Sequence, residues 1–403
     1  MILDGSVDPF QVWQDAERYL TLGARTYSPF CNIMDVAKRH RPQDGDRTFE
    51  LESFWLSYDI GSYIANGVHS ELHDLYRHAD RFLFVVHPDV LAMPGLHLGS
   101  LLEGTLRGPA VEVAPSANVR TVFVTRIDGK AVASHFLKLH YPRRISRFFR
   151  PLPLEDIEVQ LWSTRQLANV GLAVFPDVGG GVLGSAPSEA WGYIVREATP
   201  ANGRGLRYAV PLFALYSRDI RSPSDPILLA QLSQTGHAPA LIETIVRGMI
   251  QMWITAVSKA GCLIEPHSQN TLFMFSGADD SWQVAYRDVG IYADPPICLN
   301  GGAVSGRPPI DEIGRDVQIP REQLLSLTYD TFLGHHALAY LSRSVCATFG
   351  IKSSFMPNLA KSIFSELGGH ELGLPATTFA FDDKLYLNEE FRLLDTEQPP
   401  IWR

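Results

Sequence analysis

Cysteine and positive charge are both scarce in this sequence. The 403 residues include four cysteines, and no two of them form a C-x-x-C pair; they are Cys31, Cys262, Cys298 and Cys346. Such scattered cysteines predict neither a zinc site nor a disulfide framework, and they fit a reducing cytosol. With 35 Lys and Arg against 44 Asp and Glu, the net charge of -9 argues against nucleic-acid binding as the main function.

The sequence also lacks the residue patterns of an export signal and of a membrane span. The first twenty residues, MILDGSVDPFQVWQDAERYL, contain no basic region followed by an apolar core. The most apolar helix candidate runs from Ala238 to Lys259, but Glu243, Arg247 and Gln251 recur along it about one turn apart. Because such a polar stripe is typical of a helix in a soluble protein, we expect a cytoplasmic protein without a membrane partner.

The composition that remains is that of an ordinary globular protein. Hydrophobic residues make up 45% of the chain and charged residues 20%, which leaves room for two or three domains. The order of predicted elements favours an α+β fold. We predict a helical N-terminal segment over residues 1–80, an antiparallel-sheet subdomain over 81–235, and a mainly helical subdomain over 236–403 that carries one hairpin.

The N-terminal third begins with helical patterns. Asp8 and Pro9 have the residue types of an N-cap and a first helical position, so a helix is predicted to start there. Apolar residues between Phe49 and Leu75 recur at near-helical spacing and predict a second helical region. The run FLFVVHP then predicts a short buried strand, with His87 at its end as a packed or capping residue.

The clearest hairpin of the sequence is VRTVFVTRI, Asp128-Gly129 and KAVASHFLKLHY. The Asp-Gly pair predicts a two-residue type I′ turn. The resulting register places Thr121 opposite Phe136 and Lys138 opposite Val119. Thr121 and Lys138 then share one face of the sheet, and Arg120 points to the other face unless a bulge intervenes.

Three further segments allow simple interpretations. PRRISRFFRP contains four arginines, either as a solvated basic loop or as an anion-binding cluster; they are Arg143, Arg144, Arg147 and Arg150. The glycine-rich DVGGGVLGS lacks a GK[ST] ending and is interpreted as a flexible connection rather than a phosphate loop. WGYIVRE and GLRYAVPLFAL predict a second hairpin around Asn202-Gly203.

The densest group of polar side chains follows the long apolar helix. Two apolar runs, NTLFMF and WQVAYRDV, flank the turn-rich SGADDS and predict an antiparallel pair. A turn centred on Asp279 places Asn270 directly opposite Asp288, at about 5 Å. An amide oxygen and a carboxylate oxygen at that distance can share a Mg²⁺ ion, which prefers oxygen ligands.

Three more polar residues precede this pair at alternating positions. Glu265, His267 and Gln269 are separated by two residues each, and an extended backbone would place them on one face together. The pattern therefore predicts a polar ligand at the start of the hairpin.

This segment resembles a known family. Glu265-Pro266-His267-Ser268-Gln269-Asn270 is similar to the E-x-H-x-Q-N motif of the siderophore synthetases that work without a peptide-synthetase template (NIS synthetases, the aerobactin-synthetase type). Tyr286-Arg287-Asp288 resembles the R-D element that follows this motif in the family.

Weaker similarities occur in the same order as in the family. Val86-His87-Pro88 is similar to an H-P-W-Q strand end, and PSANVRT, from Pro115 to Thr121, is similar to P-T-x-S-x-R-T. Phe136 to Leu139 is similar to a K-L strand, Ile145-Ser146 with Arg150 resembles I-T-x-x-x-R, and Pro357 to Lys361 resembles a C-terminal lysine segment. The six-residue motif is the specific one; the others add weight because they are collinear.

The resemblance implies a cupped-hand α+β fold. A sheet subdomain would form the fingers and a helical subdomain the palm, with a cleft for ATP and Mg²⁺ between them. Such an enzyme adenylates a carboxylate, often one arm of citrate, releases pyrophosphate, and passes the acyl group to an amine or an alcohol with release of AMP. Related enzymes often dimerise, so a homodimer is implied as a possible assembly.

The resemblance also implies roles for individual residues. The nucleotide would be held by Asn118, Arg120, Thr121, Lys138, Arg150, His267, Gln269, Asn270 and Asp288, with Asn270 and Asp288 as the Mg²⁺ ligands. The carboxylate would be bound by Ser146, Arg150, Glu265, Gln269 and Lys361. Lys138 and Arg150 would offset negative charge in the displacement. Either His267 or Glu265 would accept the proton of the nucleophile, and the sequence leaves this choice open.

The chain departs from the family pattern in three places. Asn118 stands where the family has a serine in S-x-R-T, and Val289-Gly290 lacks a further acidic residue after Asp288. About eighty residues precede the His87 strand, whereas typical members have a further N-terminal domain with an H-P-x-H-Q motif. The acid that is activated, or the oligomer, is therefore expected to differ from that of the citrate-using members.

Two alternative functions stay open from the sequence. A small-molecule kinase also carries an Asn and a later Asp that hold Mg²⁺, but its base is an aspartate upstream, where this chain has Ser268 and Gln269. A kinase would release ADP rather than AMP. The second alternative is a non-catalytic relative that acts as a partner protein, which would not be stabilised by Mg²⁺-ATP.

Overall fold

The structure is a computed structural model that describes residues 7–20, 34–93, 98–145, 148–184, 191–233, 238–277, 279, 281–289, 291–293, 319–382 and 392–403. The chain forms two compact units. The sheet unit comprises Asn32–Arg165 and Phe175–Pro200, and the helical unit comprises Met1–Cys31, Gln166–Val174 and Ala201–Arg403. Antiparallel sheets and separate helical regions confirm the α+β class.

The sheet unit is built on a nine-stranded sheet. Its strands are β1 (Phe49–Ser57), β2 (Gly61–Ala65), β3 (Arg81–Val86), β4 (Leu106–Arg107), β5 (Val111–Pro115), β6 (Thr121–Ile127), β7 (Lys130–Leu139), β10 (Asp177–Leu183) and β11 (Trp191–Glu197). Their order is β2-β10-β11-β7-β6-β5-β1-β3, with β4 beside β1. A separate pair consists of β8 (Tyr141–Ile145) and β9 (Phe148–Arg150).

The two faces of this sheet are covered differently. One face contributes alternate residues to a large apolar core, among them Val122, Leu137 and Val195, which are aligned across three neighbouring strands. On the other face, Ile157 of α5 (Leu154–Asn169) packs with Ile194 in a smaller apolar cluster. The period of two along each strand therefore separates this large core, which also encloses His135, from the layer that holds Thr121 and Lys138. The unit also contains the short helices α2 (His73–Tyr76), α3 (Pro88–Leu91) and α4 (Leu98–Leu101) and the 3₁₀-helix Lys38–His40.

The glycine-rich segment is a buried strand, so its prediction as a flexible connection is wrong. All seven residues of β10 are buried, and the strand pairs with both β2 and β11. A Cβ atom at Gly180 would collide with the backbone oxygen of Tyr193, and one at Gly181 would collide with the Tyr193 ring. The glycines are thus required by close packing in the sheet rather than by flexibility.

The helical prediction for Phe49–Leu75 is also wrong. β1 and β2 occupy most of this segment, and β1 alternates between buried and more exposed positions. A stretch rich in aromatic and apolar residues satisfies a helical and a strand period about equally well, and pairing with β3 and β5 decides the outcome. His87 acts as the predicted cap, because its Nδ1 accepts the Asp89 backbone N–H at 3.1 Å.

The helical unit begins with α1 (Pro9–Tyr19), where Asp8 is the N-cap and Pro9 the first residue, as predicted. Later helices are α6 (Leu212–Tyr216), α7 (Leu228–Leu232), α8 (Ala238–Thr255), α9 (Arg321–Ser326), α10 (Ala339–Phe349) and α11 (Phe355–Glu366). Two π-helices extend this set, Ala256–Ala260 directly after α8 and Leu327–Leu338 between α9 and α10. Gly261 ends the first of them with φ 64°, in the predicted C-cap role.

The helical unit also contains the 3₁₀-helix Gly369–Leu372 and small antiparallel sheets. Strands β12 (Tyr208–Pro211), β14 (Thr271–Phe275) and β15 (Trp282–Tyr286) form one sheet, β13 (Cys262–Ile264) pairs with β16 (Ile291–Ala293), and β17 (Phe379–Phe381) pairs with β18 (Leu393–Asp395). The predicted hairpin around Asn202-Gly203 is wrong. β11 belongs to the nine-stranded sheet, whereas β12 pairs with β14, so the two segments join different sheets.

The last two residues are anchored in the helical unit. The Arg403 guanidinium donates to both carboxylate oxygens of Asp330, at 2.9 and 2.8 Å, and the Tyr329 hydroxyl donates to the Trp402 carbonyl at 3.1 Å. Burial raises the pKa of Asp330 despite the opposing effect of Arg403. The Trp402 ring fills the space beside Gly334, where a Cβ atom would lie 2.5 Å from the indole. These contacts secure the π-helix Leu327–Leu338.

The segment Ala238–Ala260 is the one helix among the described residues that is long and apolar enough to cross a membrane. It packs through Ile242, Ile245 and Met249, which are fully buried in the protein. The polar residues predicted to form a stripe lie on its more exposed side. Its apolar character is therefore accounted for by core packing in the helical unit.

Candidate active site

The hairpin β6–β7 has the predicted turn and a shifted register beyond it. Asp128 and Gly129 both have positive φ, 52° and 72°, as a type I′ turn requires. Ile127 pairs with Lys130 as expected, but a bulge between Val124 and Arg126 moves the partners by two residues. Thr121 therefore lies opposite Lys138 rather than Phe136, so the predicted pairing is wrong at that end.

The predicted shared face survives this shift, because directly opposed residues lie on the same side of a sheet. Thr121 and Lys138 are 4% and 3% exposed. The Lys138 ammonium donates to Oε1 of Gln160 on α5 at 2.7 Å, and the Gln160 amide donates to the Asp156 carbonyl at 3.1 Å. The Thr121 hydroxyl is buried and has no hydrogen-bond partner in the described chain.

A buried ammonium beside an unsatisfied hydroxyl is costly in a protein interior. An anion bound at this point would satisfy the hydroxyl and interact favourably with the ammonium. The Thr121–Lys138 pair is thus suited chemically to a phosphate or carboxylate group. Gln160 was not predicted from the sequence, because nothing in the spacing of α5 indicates which strand residue it contacts.

The loop before β6 holds Asn118 and Arg120. Val119 adopts φ 57°, which is rare for a β-branched residue, and the Asn118 carbonyl accepts the Arg120 backbone N–H. Nη1 of Arg120 donates to the carbonyls of Arg150 and Pro151, at 3.2 and 3.3 Å. Arg120 therefore ties this loop to the end of β9, next to the predicted Arg150 side chain.

The arginines of the segment PRRISRFFRP differ in their contacts. Arg143 forms a bidentate ion pair with Asp35, at 2.7 and 3.1 Å, so it serves the structure of the sheet unit. Arg150 is half-buried at the end of β9. Ser146 and Arg147, which were predicted near the carboxylate and in the anion-binding cluster, lie outside the described residues.

In the helical unit, the Glu265–Asn270 motif forms a compact turn, so the prediction of an extended backbone is wrong. The backbone N–H groups of Asn270 and Thr271 both donate to the His267 carbonyl, at 3.0 Å each. Five of the six motif residues are buried beyond 90%; they are Pro266, His267, Ser268, Gln269 and Asn270. The alternation argument for one shared face therefore does not apply here, because it requires a strand.

The register of β14–β15 also differs from the prediction. Thr271 pairs with Tyr286, and the Arg287 backbone N–H donates to the Asn270 carbonyl at 3.0 Å. The pairing of Ser276 with Ser281 leaves four residues in the turn, so the turn is not centred on Asp279. Asn270 consequently lies opposite Arg287, and Asp288 is one residue further on, with φ 63°.

Two residues fix the arms of this hairpin, and the sequence predicted a role for neither. The Tyr286 hydroxyl accepts the Glu265 backbone N–H at 3.0 Å and donates to the Asp288 carbonyl at 3.3 Å. Arg287 donates to the Gln269 carbonyl at 2.9 and 3.1 Å and pairs with the buried carboxylate of Glu17 at 2.5 Å. Both side chains hold the motif in place, and Glu17 could not be connected to it from sequence distance.

The hydrogen bonds of the motif define which atoms can meet a ligand. Nδ1 of His267 accepts the Gln269 backbone N–H at 3.2 Å, so a neutral His267 carries its proton on Nε2 and acts as a donor there. The Asn270 amide nitrogen donates to the Glu265 carbonyl at 3.3 Å. Its Oδ1 has no donor among the described residues and suits a hard cation.

The remaining predicted residues have fewer assigned contacts. Asp288 is half-buried, and Glu265 is half-buried with its backbone fully engaged. Lys361 is exposed on α11.

A buried cluster in the sheet unit, His40, His87 and Asp89, has metal-ligating residue types within 4.8 Å of one another. Its bonding does not fit a metal. Because Nδ1 of His87 accepts a backbone N–H, Nε2 carries the proton and offers no lone pair. Burial lowers the His87 pKa to about 3. Burial would raise the pKa of Asp89, but hydrogen bonds from His40 and the Ala37 N–H outweigh it and hold that pKa at about 2.

Known structures share this architecture. ATP-bound aerobactin synthetase IucA from a hypervirulent pathotype of Klebsiella pneumoniae matches with a TM-score of 0.65 and 15% identity, over 92% of this chain and 73% of IucA. The petrobactin biosynthesis protein AsbB of Bacillus anthracis matches with a TM-score of 0.64 and 12% identity, over 96% and 78% of the two chains.

The fold is that of the NIS synthetases. Aerobactin synthetase IucC of the same Klebsiella pathotype is also similar, with a TM-score of 0.58 and 14% identity over 83% of this chain and 65% of IucC. No protein-family model and no curated protein matches the sequence. The structural similarity therefore confirms the resemblance drawn from the Glu265–Asn270 motif, at the level of the fold.

Proposed function

We propose that this chain is an ATP- and Mg²⁺-dependent ligase. A carboxylate substrate attacks the α-phosphate of ATP and displaces pyrophosphate, and the resulting acyl-adenylate is attacked by an amine or alcohol. The second step forms an amide or ester and releases AMP and a proton. The reaction would serve the biosynthesis of a siderophore or a related natural product.

One observation carries this proposal. The six-residue motif stands in a chain with the fold of the NIS synthetases, and its hydrogen bonds leave a donor at His267 and an acceptor at Asn270 for a ligand. The overall fold alone would not specify chemistry, since one fold hosts many functions. The motif adds the residue types that the chemistry needs.

In the sheet unit, we propose that Thr121, Lys138 and Arg150 bind negatively charged groups, with Arg120 and Asn118 shaping the loop beside them. A carboxylate that approaches a phosphate is repelled, and fixed positive charges offset that repulsion. Lys138 is well suited because Gln160 fixes its ammonium at 2.7 Å, which reduces the cost of orienting it during the reaction.

In the helical unit, we propose that Asn270 and Asp288 hold Mg²⁺, with Gln269 and His267 beside the nucleotide. The ion would neutralise charge on the phosphates when bound. His267 donates from Nε2, so it is suited to a phosphate oxygen rather than to accepting a proton. This leaves Glu265 as the proposed proton acceptor, and Lys361 with Ser146 as proposed carboxylate contacts.

The first test is the identity of the products. Pyrophosphate release is measured with a panel of di- and tricarboxylates and amino acids, in the presence of polyamine, hydroxylamine and amino-acid acceptors. We expect carboxylate-dependent formation of AMP and pyrophosphate. Formation of ADP would instead identify a phosphotransferase, and the ligase proposal would be abandoned.

The second test addresses the metal residues. Asp288→Asn should lower carboxylate-dependent ATP–pyrophosphate exchange by at least about 100-fold, because a neutral amide is a weaker Mg²⁺ ligand than a carboxylate. Asp279→Asn is the matched control, since Asp279 is exposed at the tip of the same hairpin. Normal exchange in a folded Asp288→Asn variant would rule out the metal assignment.

A further inference from the structure

One side of α8 lines a cavity of about 390 Å³ that lies within the helical unit. Residues of α8 and of the π-helix that follows it reach the cavity at intervals of three or four; they are Thr244, Arg247, Gln251, Thr255 and Lys259. This spacing aligns them along one side of the helix. None of the motif residues Glu265–Asn270 lines the cavity.

The floor of the cavity is apolar. Met252 and Trp282, which are 4% and 9% exposed, contribute to it together with Val284. Gly248 allows α8 to approach β15 closely, since a Cβ atom there would lie 2.7 Å from Cγ2 of Val284. Helix and strand therefore form a closely packed surface beneath any ligand.

The opposite wall is tied together by hydrogen bonds. The Arg204 backbone N–H donates to Oε1 of Gln283 at 2.9 Å, and the Gln283 amide donates to the Asn202 carbonyl at 3.4 Å. Asn202 in turn donates to the carbonyls of Ala168 and Leu172, at 2.7 and 3.1 Å. These hydrogen bonds hold the wall in place without a bound ligand.

The charged residues that line the cavity are all cationic. They are Arg204, Arg247 and Lys259, and no carboxylate lines it. Arg247 is engaged by Glu366, at 2.6 and 2.9 Å, and by Glu243 at 3.2 Å. The guanidinium of Arg204 and the ammonium of Lys259 have no ion-pair partner in the described parts of the chain. Both side chains are exposed to solvent, so an anion that enters the cavity can reach them.

We propose that this cavity binds a small organic anion, with its carboxylate or phosphate head at Arg204 and Lys259 and its apolar body over Met252 and Trp282. The volume lies within the range of about 300–1,000 Å³ found for small-molecule sites, which combine apolar walls with a few polar groups. β15 runs from this cavity to Arg287 and Asp288, so an occupant contacts the strand that leads into the proposed active site.

The test titrates the protein with phenyl phosphate and with phenylacetate. Calorimetry and ligand-observed NMR measure the binding. The neutral analogue 2-phenylethanol reports the contribution of the apolar floor alone. We expect Arg204→Ala/Lys259→Ala to weaken binding of the anions by at least about tenfold, since each head loses charge-assisted contacts. The control Arg218→Ala/Lys352→Ala removes two exposed cations of the same unit that do not line the cavity and should bind like the wild type.

Each outcome has a defined meaning. A preference for one head group supports the proposal and identifies the ligand as a phosphate or a carboxylate. Equal binding by the wild type and Arg204→Ala/Lys259→Ala overturns it, as does equal affinity for 2-phenylethanol. Loss of anion binding in Asn270→Ala, with normal binding in the double variant, would place the anion at the motif and would also overturn it.

Discussion

A single buried side chain, Gln160, fixes the position of the Lys138 ammonium beside Thr121. Lys138 would be a flexible ammonium in isolation, but its bond to Gln160 fixes it on the sheet face that also carries Thr121. Gln160 is not among the residues proposed to bind ATP or the carboxylate substrate, so we describe it as a positioning residue. Its neutral amide orients the ammonium without cancelling the charge.

Gln160→Leu tests this role. We expect kcat/KM for ATP-dependent exchange to fall on the order of tenfold to a hundredfold, because the ammonium loses a fixed acceptor. Gln160→Glu should raise the KM for ATP more strongly, since a carboxylate neutralises Lys138. The control is Glu158→Gln, at an exposed position of the same helix. A Gln160→Leu enzyme with unchanged kcat/KM would contradict the positioning role.

A second residue-scale prediction concerns acid. His135 is fully buried, donates from Nδ1 to the Ala133 carbonyl at 2.5 Å, and accepts the Tyr76 hydroxyl at Nε2 at 2.6 Å. Burial lowers its pKa to about 4. The unfolded chain takes up this proton near pH 6.5, before the folded protein does, so stability is full above pH 6.5 and is lost as the pH falls towards 4.

At pH 5 the expected loss is about 2 kcal/mol from His135 alone. Denaturation followed at pH 7.5 and pH 5 should show a smaller acid effect in His135→Gln by about that amount, whatever its stability at pH 7.5. His69→Gln changes an exposed histidine and should behave like the wild type. An identical acid effect in His135→Gln and the wild type would contradict the prediction.

At the scale of elements, the hairpin β14–β15 separates two roles between adjacent residues. Asp288 is the proposed Mg²⁺ ligand, whereas Arg287 joins the motif to α1 through Gln269 and Glu17. The Arg287-Asp288 pair therefore combines one structural residue with one proposed Mg²⁺ ligand. Glu17 is fully buried and also accepts the Trp13 indole N–H at 3.2 Å.

Arg287→Gln should lower the free energy of unfolding of the helical unit by about 3–5 kcal/mol, because the Glu17 carboxylate is left buried without its partner. Urea denaturation measures this loss. Arg247→Gln breaks an exposed ion pair with Glu366 and should cost less than about 1 kcal/mol. Comparable losses of unfolding free energy in the two variants would show that the buried ion pair stabilises the protein no more than the exposed one.

Elements with a local signal were predictable. The cap at Asp8, the Asp128-Gly129 turn and the Gly261 C-cap each depend on a few neighbouring residues, and all three are confirmed. The register beyond the β6 bulge, the buried strand β10 and the four-residue turn of β14–β15 depend on partners elsewhere in the chain. The motif was found by residue type, but Gln160 and Glu17 required the three-dimensional structure.

At the scale of the whole molecule, neither unit is continuous in sequence. The helical unit takes three segments of the chain and the sheet unit takes two. Composition and periodicity change gradually along a chain, so they favour contiguous domains and give no signal for segments that return to an earlier unit. The domain ranges predicted from the sequence, 1–80, 81–235 and 236–403, therefore stay a prediction.

Binding of Mg²⁺-ATP provides a prediction for the intact chain. At about 100 times its Kd, the nucleotide should stabilise the protein by ~2.7 kcal/mol, which a thermal shift detects as a higher Tm. Asp288→Asn should reduce the shift, and omission of Mg²⁺ should reduce it for the wild type. If Mg²⁺-ATP and a non-hydrolysable acyl-adenylate analogue both leave Tm unchanged, a non-catalytic partner protein becomes the better description.

The Glu17–Arg287 ion pair has a consequence for how the protein is made. Arg287 is added 270 residues after Glu17, which at about 5–20 residues per second takes roughly 14 to 54 s on the ribosome. Burying the carboxylate earlier would cost several kcal/mol. We therefore expect α1 to stay exposed to solvent until Arg287 has been synthesised, and to pack against the helical unit only then.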